Sequence, residues 1–239
     1  MLSRAIRTVV VAVALSLGVV PLAVAAPIIL RTGVTAGNAV MAPGSIDTAW
    51  QISIDDKATF TNSKVLYPLI VPGDPFSGGQ ICCNMETVAN TAAWVSDPSV
   101  IPTTGSTAWG VNEDVWLRRR FDLSGYDLST VSLTGTWRIA DWSFGIYLNG
   151  NLIAGTNTGT GISKWDVDTA VSVAAGSAFF LNGINTLELR GQSLNSGWDG
   201  FWFDGAVDGR QVGAVPEPAT LSLVAIGAAG LMARRRRRG

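Results

Sequence analysis

The chain has 239 residues, of which 47% are apolar, 15% are charged, 27 are Gly, 2 are Cys and none is His. The lack of His excludes Ser-His-Asp and Cys-His catalysis and the usual catalytic zinc sites, which leaves carboxylate, hydroxyl or lysine chemistry. Ten basic and seventeen acidic residues remain when the seven terminal arginines and Glu217 are set aside, so the body is acidic and a nucleic-acid partner is not expected.

The first 25 residues have the form of a Sec signal peptide. Arg4 and Arg7 precede an apolar run at residues 9–20, and Ala23-Val24-Ala25 is an A-x-A cleavage site. We therefore expect a signal helix at residues 1–25, export through the Sec machinery, and a mature body at residues 26–212.

Period-two patterns in the body predict β-strands. Val131, Leu133, Trp137 and Ile139 alternate with polar residues, and the same alternation recurs in residues 115–123, 165–173 and 201–207. Asn149-Gly150 is a strong hairpin signal because both residues tolerate the positive φ of a type I′ turn. No sustained helical period is present. These patterns predict an all-β antiparallel jelly-roll sandwich, flanked by the N-terminal signal helix and a C-terminal single-pass helix.

Nine tryptophans are many for a chain of this length, and their positions predict different roles. Trp137 shares its face with Val131 and Leu133 and is expected in the core. Trp116 lies on the opposite face from Val115 and is expected to cover the outer side of a sheet. Trp50 and Trp165 begin strands and are interpreted as packing residues.

Residues around 72–112 form a predicted irregular insertion, rich in Gly and Pro near its start. It contains Cys82-Cys83. Export favours oxidation, so a strained vicinal disulfide that stiffens the loop and two free or intermolecular thiols both remain open. Zinc is not expected because no further Cys or His exists to complete four ligands.

Acidic loops leave a structural calcium ion open. Calcium binds Asp and Asn oxygens together with backbone carbonyls. No loop has the ordered spacing of an EF-hand, and no metal ligands are assigned. The candidate loops contain Asp47, Asp55-Asp56, Asp97 and Asp199.

The C-terminal segment, residues 213–239, predicts a transient membrane anchor. Pro216-Glu217-Pro218 is a stiff spacer, and fifteen uncharged residues, 219–233, follow it. At about 1.5 Å per residue, a fifteen-residue helix spans roughly 22 Å, short of a hydrocarbon core of roughly 30 Å. The basic residues after it should stop transfer and stay cytoplasmic. They are Arg234, Arg235, Arg236, Arg237 and Arg238.

This tail resembles the PEP-CTERM sorting domain of exopolysaccharide-producing Gram-negative bacteria. The resemblance rests on residues 215–223, then Gly227, Gly230-Leu231 and the arginine block, in that order. It implies recognition by an exosortase-type enzyme, transient insertion in the inner membrane, and a final location at the cell surface or outside the cell. An ordinary tail-anchored helix is the alternative.

The body resembles the galactose-binding-domain-like (discoidin-type) jelly roll over roughly residues 109–207. The resemblance rests on strand and turn signatures, so it implies a fold more than a site. The signatures are Phe121-Asp122-Leu123-Ser124, Trp137-Arg138-Ile139, Leu148-Asn149-Gly150 and Gly183-Ile184-Asn185-Thr186-Leu187.

Two loops with tryptophans are the candidate carbohydrate site. Trp142 follows Asp141 at a strand end, and Trp198 lies among Asn195, Asp199 and other turn residues. An indole face beside carboxylate and amide groups suits the C–H face and hydroxyls of a sugar. A lid over the end of the sandwich would explain the same residues.

Three classes of function remain open from the sequence. The first is an exported surface or matrix protein whose jelly roll contacts exopolysaccharide without catalysis. The second is a structural matrix protein with no discrete ligand. The third is a polysaccharide-active enzyme with paired carboxylates, which the single small sandwich disfavours. We therefore expect a protein that is not an enzyme, found in the biofilm matrix or on the surface.

Overall fold

The computed structural model describes residues 26–66, 91–99, 109–140, 142–155, 162–163, 168–194 and 199–212. All of these except Gln211 and Val212 belong to one compact unit, Ala25–Arg210. The second unit consists of the terminal segments Met1–Val24 and Gln211–Gly239. The predicted signal helix and the predicted single-pass helix lie outside the described residues.

Twelve strands, joined by antiparallel pairings, form the secondary structure of the described residues, which contain no helix. The predicted all-β antiparallel class is confirmed. The strands are β1 (Ile28–Arg31), β2 (Ile46–Ser53), β3 (Thr61–Val65), β4 (Val95–Ser96), β5 (Val115–Asp122), β6 (Tyr126–Ala140), β7 (Trp142–Leu148), β8 (Asn151–Gly155), β9 (Ile162–Ser163), β10 (Thr169–Val173), β11 (Ile184–Gln192) and β12 (Gly200–Gln211).

The sheet folds back on itself into two layers. Its strands hydrogen-bond in the order β10-β6-β12-β4-β3-β2-β5-β11-β7-β8, with β1 on β12 and β9 on β7. Strands distant in this order still touch: the rings of Trp50 on β2 and Phe203 on β12 are 5.8 Å apart. Gly191 on β11 faces Ile139 on β6, where an added Cβ would lie 2.7 Å from the Ile139 Cγ2. Such close approach between layers requires glycine at position 191.

The alternating residues of β6 supply one wall of the core, as their pattern predicted. Val131, Leu133 and Ile139 are fully buried, and Trp137 is 1% exposed. The same core cluster contains Leu117 of β5, Leu189 of β11 and Phe203 of β12, all fully buried. Burial of these side chains is the main favourable contribution to folding.

The predicted hairpin turn lies between β7 and β8. Asn149 and Gly150 have φ of 51° and 79°, as a type I′ turn requires. The Asn149 side chain also reaches the next strand, where its Oδ1 accepts the Thr186 backbone N–H at 2.8 Å and its Nδ2 donates to the Asn185 Oδ1 at 2.7 Å. Asn149 therefore fixes β11 beside the hairpin.

Trp116 covers the outer face of the β5-β11-β7 layer, as predicted, yet it is buried. Its Nε1 donates to the Asp56 Oδ1 at 2.9 Å, and the Lys57 ammonium lies 3.7 Å from the ring centroid. Lys57 in turn donates to Glu188 at 2.9 Å. The loop after β2 thus closes over Trp116 by hydrogen bonding and a cation–π contact.

The predicted irregular insertion, residues 72–112, contains structure that its composition did not indicate. Among its described residues, β4 pairs with β3 and with β12 in the middle of the strand order. Trp94 and Trp109 are buried, and the Trp109 Nε1 donates to the Ser96 Oγ at 2.9 Å. Cys82, Cys83 and Trp165 lie outside the described residues.

Candidate functional site

The start of β7 lies beside the end of β11. β7 begins at Trp142 and β11 ends at Gln192, and these two residues are register partners. Asp141 and residues 195–198 of the two predicted site loops lie outside the described residues. We call this region the Trp142 end, defined by its described residues Asp114, Trp142, Arg190, Gln192, Ser193, Leu194 and Asp199.

Two of the five predicted site residues lie within the described part of the chain. Trp142 is partly exposed at the first position of β7. Asp199 is fully buried immediately before β12, so its carboxylate lies inside the protein rather than on the loop surface. Asp141, Asn195 and Trp198 lie outside the described residues, and their roles stay predictions.

A carboxylate outside the predicted site residues connects two side chains of the Trp142 end. Asp114 accepts hydrogen bonds from the Arg190 Nη2 at 2.6 Å and from the Gln192 Nε2 at 2.8 Å. Burial lowers the pKa of Arg190, but the hydrogen bond and the charge of Asp114 outweigh this, so its pKa is raised. The ionic pair orients Gln192 directly beside Trp142.

Aromatic contacts and a backbone bridge hold this end together from behind. The Arg190 guanidinium lies 4.9 Å from the Phe144 ring and 5.6 Å from the Trp116 ring. Asn112, at a φ of 59°, donates its backbone N–H to the Ser193 carbonyl at 2.9 Å. The start of the predicted loop is thus fixed to the segment before β5.

Apolar side chains at the rim add exposed surface. Val111, which forms a backbone bridge with Ser193, is 46% exposed, and Leu194, the residue after Ser193, is 42% exposed. An exposed mixture of indole, aliphatic and amide groups can contact both the C–H faces and the hydroxyls of a sugar. The Trp142 end therefore offers groups suited to binding a sugar.

The sequence patterns do not indicate the roles of Asp114, Arg190 and Gln192, because these residues meet only when β5 pairs with β11. Asp114 stands just before β5, and Arg190 is 76 residues later near the end of β11. An acidic residue before a strand and a polar residue at a strand end are individually common. Strand order would have been needed to bring them together, since β5 and β11 are neighbours in the sheet.

The predicted calcium loops hold their carboxylates in hydrogen bonds within the chain. Asp47 accepts three backbone N–H groups, and Asp97 accepts the N–H two residues on. Hydrogen bonds from Ser53 and Thr59 lower the pKa of Asp55 to about 2. The described part of the chain has no group of three or more acidic or Cys side chains suited to a metal ion. Structural calcium stays a prediction.

The C-terminal tail matches a known family of sorting signals. Residues 214–238 match the PEP-CTERM protein-sorting motif. The motif predicted from Pro216-Glu217-Pro218 and the arginine block is confirmed, although its residues lie outside the described ones. The chain is therefore an exported protein, sorted to the cell envelope and processed by an exosortase-type enzyme.

The body has no match among curated proteins. Similar segments occur in the solved structure of the GH26-CBM35 β-(1,4)-mannanase of Podospora anserina, at 14% identity over 72% of this chain and 29% of that chain, with a TM-score of 0.26. They also occur in the β-glucosidase of Kluyveromyces marxianus in complex with glucose, at 11% identity over 69% of this chain and 18% of that chain, TM-score 0.26.

A third similar structure is the GH31 α-xylosidase of Xanthomonas citri, at 8% identity over 78% of this chain and 17% of that chain, TM-score 0.24. The chain spans less than a third of each of these three proteins. These likenesses alone therefore do not identify a function.

Within the described ranges, no helix is long and apolar enough to cross a bilayer.

Proposed function

We propose that this exported protein is a surface or extracellular-matrix component whose body binds polysaccharide without catalysis at the Trp142 end. The observation that carries the proposal is the partly exposed Trp142 at the start of β7, in register with Gln192. The body is interpreted as a galactose-binding-domain-like jelly roll, and the ligand as the exopolysaccharide of the producing cell.

Binding at this end would combine one flat apolar face with fixed polar groups. The indole of Trp142 stacks on the C–H face of a sugar ring, and the Gln192 amide, oriented by Asp114, meets its hydroxyls. Asp199 is fully buried and does not touch the sugar in this proposal. Asp141, Asn195 and Trp198 stay predicted ligand contacts.

The expected affinity of one module is weak. Each stacking or hydrogen-bonded contact contributes on the order of 1 kcal/mol, which gives dissociation constants of roughly tens of micromolar to millimolar. Many copies acting on one repeating polymer would raise retention by orders of magnitude. Weak single sites suit a matrix component because the polymer can still rearrange around it.

The acidic groups at this end that belong to the described residues, Asp114 and Asp199, do not favour an enzyme. A glycosidase needs two carboxyl groups that face one another across a cleft, one of them free to donate a proton. Asp114 is engaged by Arg190 and Gln192, and Asp199 is buried. We therefore propose that the body binds polysaccharide without catalysis.

We expect the Trp142→Ala/Trp198→Ala double variant to lose most binding of the purified protein to the producing cell's exopolysaccharide, at least tenfold, because the stacking faces are removed. Isothermal titration calorimetry measures the dissociation constant, once with added calcium and once with a chelator. Ile184→Ala is the matched control, since Ile184 is an exposed apolar residue at the opposite end of β11.

The outcomes distinguish the remaining readings. Unchanged binding by the double variant, or no binding by the wild type, would leave the structural matrix role. A large loss of thermal stability in Trp142→Ala alone would identify a lid over the sandwich. Loss of wild-type binding in the chelator would support a calcium ion at this end.

The proposed route to the surface follows from the two ends of the chain. Sec-dependent export and signal cleavage after Ala25 would place the body outside the inner membrane while the tail is inserted. Exosortase-type processing would then pass the body to the cell surface or the medium. The final location is tested by the tail variant described in the Discussion.

A further inference from the structure

The three consecutive arginines of β5 do not form one basic patch. On β5, Leu117 and Phe121 face the core, and strand alternation places Arg119 on the same inward face. Arg118 points outward, where it donates to the Gln51 Oε1 at 2.9 and 3.0 Å. Arg120 is exposed. Arg119 is thus a cation directed between the two layers.

Arg119 reaches a cavity of about 480 Å³ beside the first residues of β2. This volume is typical of sites for small molecules or single sugar units. Polar groups line it at Thr35, Asn38 and Thr48, and Val34 and Met41 contribute apolar surface. Arg119 pairs with Leu187 on β11, five residues before Gln192, so the cavity lies about 16 Å along the strand from the Trp142 end.

The donors of Arg119 are incompletely used. Its buried Nε has no hydrogen-bond partner in the described part of the chain. Asp47, whose charge attracts Arg119, also accepts other donors: its oxygens accept the backbone N–H groups of Gly33 at 2.7 Å, Ala49 at 2.9 Å and Trp50 at 3.3 Å. Burial lowers the pKa of Arg119, and the attraction of Asp47 only partly opposes this.

The other guanidinium at the cavity is already paired. Arg31 donates to the Asp204 Oδ1 at 2.6 Å. Burial raises the pKa of Asp47 in spite of its backbone donors. A partly buried guanidinium with unfilled donors is unfavourable unless an acceptor enters from solvent.

We propose that this cavity binds a carboxylate group through the guanidinium of Arg119. A guanidinium presents parallel N–H groups that match the two oxygens of a carboxylate, which an ammonium does not. Thr35, Asn38 and Thr48 meet hydroxyl or amide groups next to that carboxylate, and Val34 and Met41 contact its carbon frame. The carboxylate belongs either to an acidic sugar or to the C-terminus of a peptide.

The test is a titration of the purified full chain with sodium glucuronate, with a tripeptide that has a free C-terminus, and with glucose and the amidated tripeptide as neutral controls. We expect one of the two carboxylates to bind at least tenfold more tightly than its neutral counterpart. Tighter glucuronate binding identifies an acidic sugar as the source, and tighter peptide binding identifies a chain terminus. Equal binding of charged and neutral probes, or no binding of either carboxylate, would overturn the proposal.

Variants locate the site independently of the Trp142 end. Arg119→Gln should weaken carboxylate binding at least tenfold. Arg119→Lys should also weaken it, because an ammonium lacks the parallel N–H groups of a guanidinium. Arg120→Gln, which removes the same charge from the adjacent exposed residue, should bind as the wild type does. Wild-type affinity in Arg119→Lys would contradict the proposal.

A measurement on the wild type covers the case in which Arg119 variants do not fold. The Arg119 Nε–H signal in a nitrogen-15 NMR spectrum should shift on addition of the carboxylate, and that of Arg31 should shift less. A response confined to other residues would overturn the assignment. Because Trp142→Ala should leave this titration unchanged, failure of the polysaccharide site and failure of the carboxylate site are distinguishable.

Discussion

Trp137→Ala is expected to unfold the body or nearly so. Trp137 is 1% exposed and packs in the core with Leu133 and Ile139. Truncation of a buried tryptophan to alanine typically costs about 3 to 5 kcal/mol, a large part of the roughly 5 to 15 kcal/mol that stabilises a domain. Thermal unfolding should show a melting temperature lower by about 10 °C or more.

Trp137→Phe is the matched control for this prediction. The buried Trp137 Nε1 has no hydrogen-bond partner among the described residues, so phenylalanine removes an unsatisfied donor and keeps an aromatic ring. We expect a clearly smaller loss of stability than in the alanine variant. A Trp137→Ala protein that melts within two or three degrees of the wild type would show that this position is not essential to the core.

Replacement of Pro216-Glu217-Pro218 by alanines should block release of the protein from the inner membrane. The segment lies in the confirmed PEP-CTERM motif, and proline disfavours a helix because it fixes φ and lacks a backbone N–H. Alanine favours a helix that would continue into the apolar run. Cell fractionation and intact mass should find the variant in the membrane with its tail attached.

Ser222→Ala is the control for the tail variant. It introduces an alanine elsewhere in the motif and keeps both prolines and Glu217. It should be released at the wild-type size. Arrival of the triple-alanine variant outside the cell, in normal amount and at the processed mass, would contradict sorting through this motif.

Local patterns were enough to predict several strands and one turn. The period-two residues of β6 became a core face, and Asn149-Gly150 adopted positive φ at both positions. Both results follow from short-range physics. Side chains of a strand alternate between its faces, and few residues tolerate a left-handed conformation. The tail motif was equally readable because its meaning lies in consecutive residues.

The candidate site was only partly predictable. Trp142 lies at a strand end, as its sequence context predicts, and its register with Gln192 places the start of β7 beside the end of β11. Asp199 was expected beside the ligand but is fully buried. A turn-rich loop indicates exposure on average, and it does not show which of its side chains turns inward to anchor it.

By itself, then, the sequence determined an acidic all-β body and a sorting tail, since composition, alternation and a contiguous motif are properties of neighbouring residues. Tertiary structure alone decided that Arg119 enters a cavity while Arg118 and Arg120 face outward, and that Asp114 meets Arg190. It also decided that β4 joins the middle of the sheet. These contacts join residues as far apart in the chain as Val95 and Phe201, and they form only when strand order and register are set by burial of the whole core.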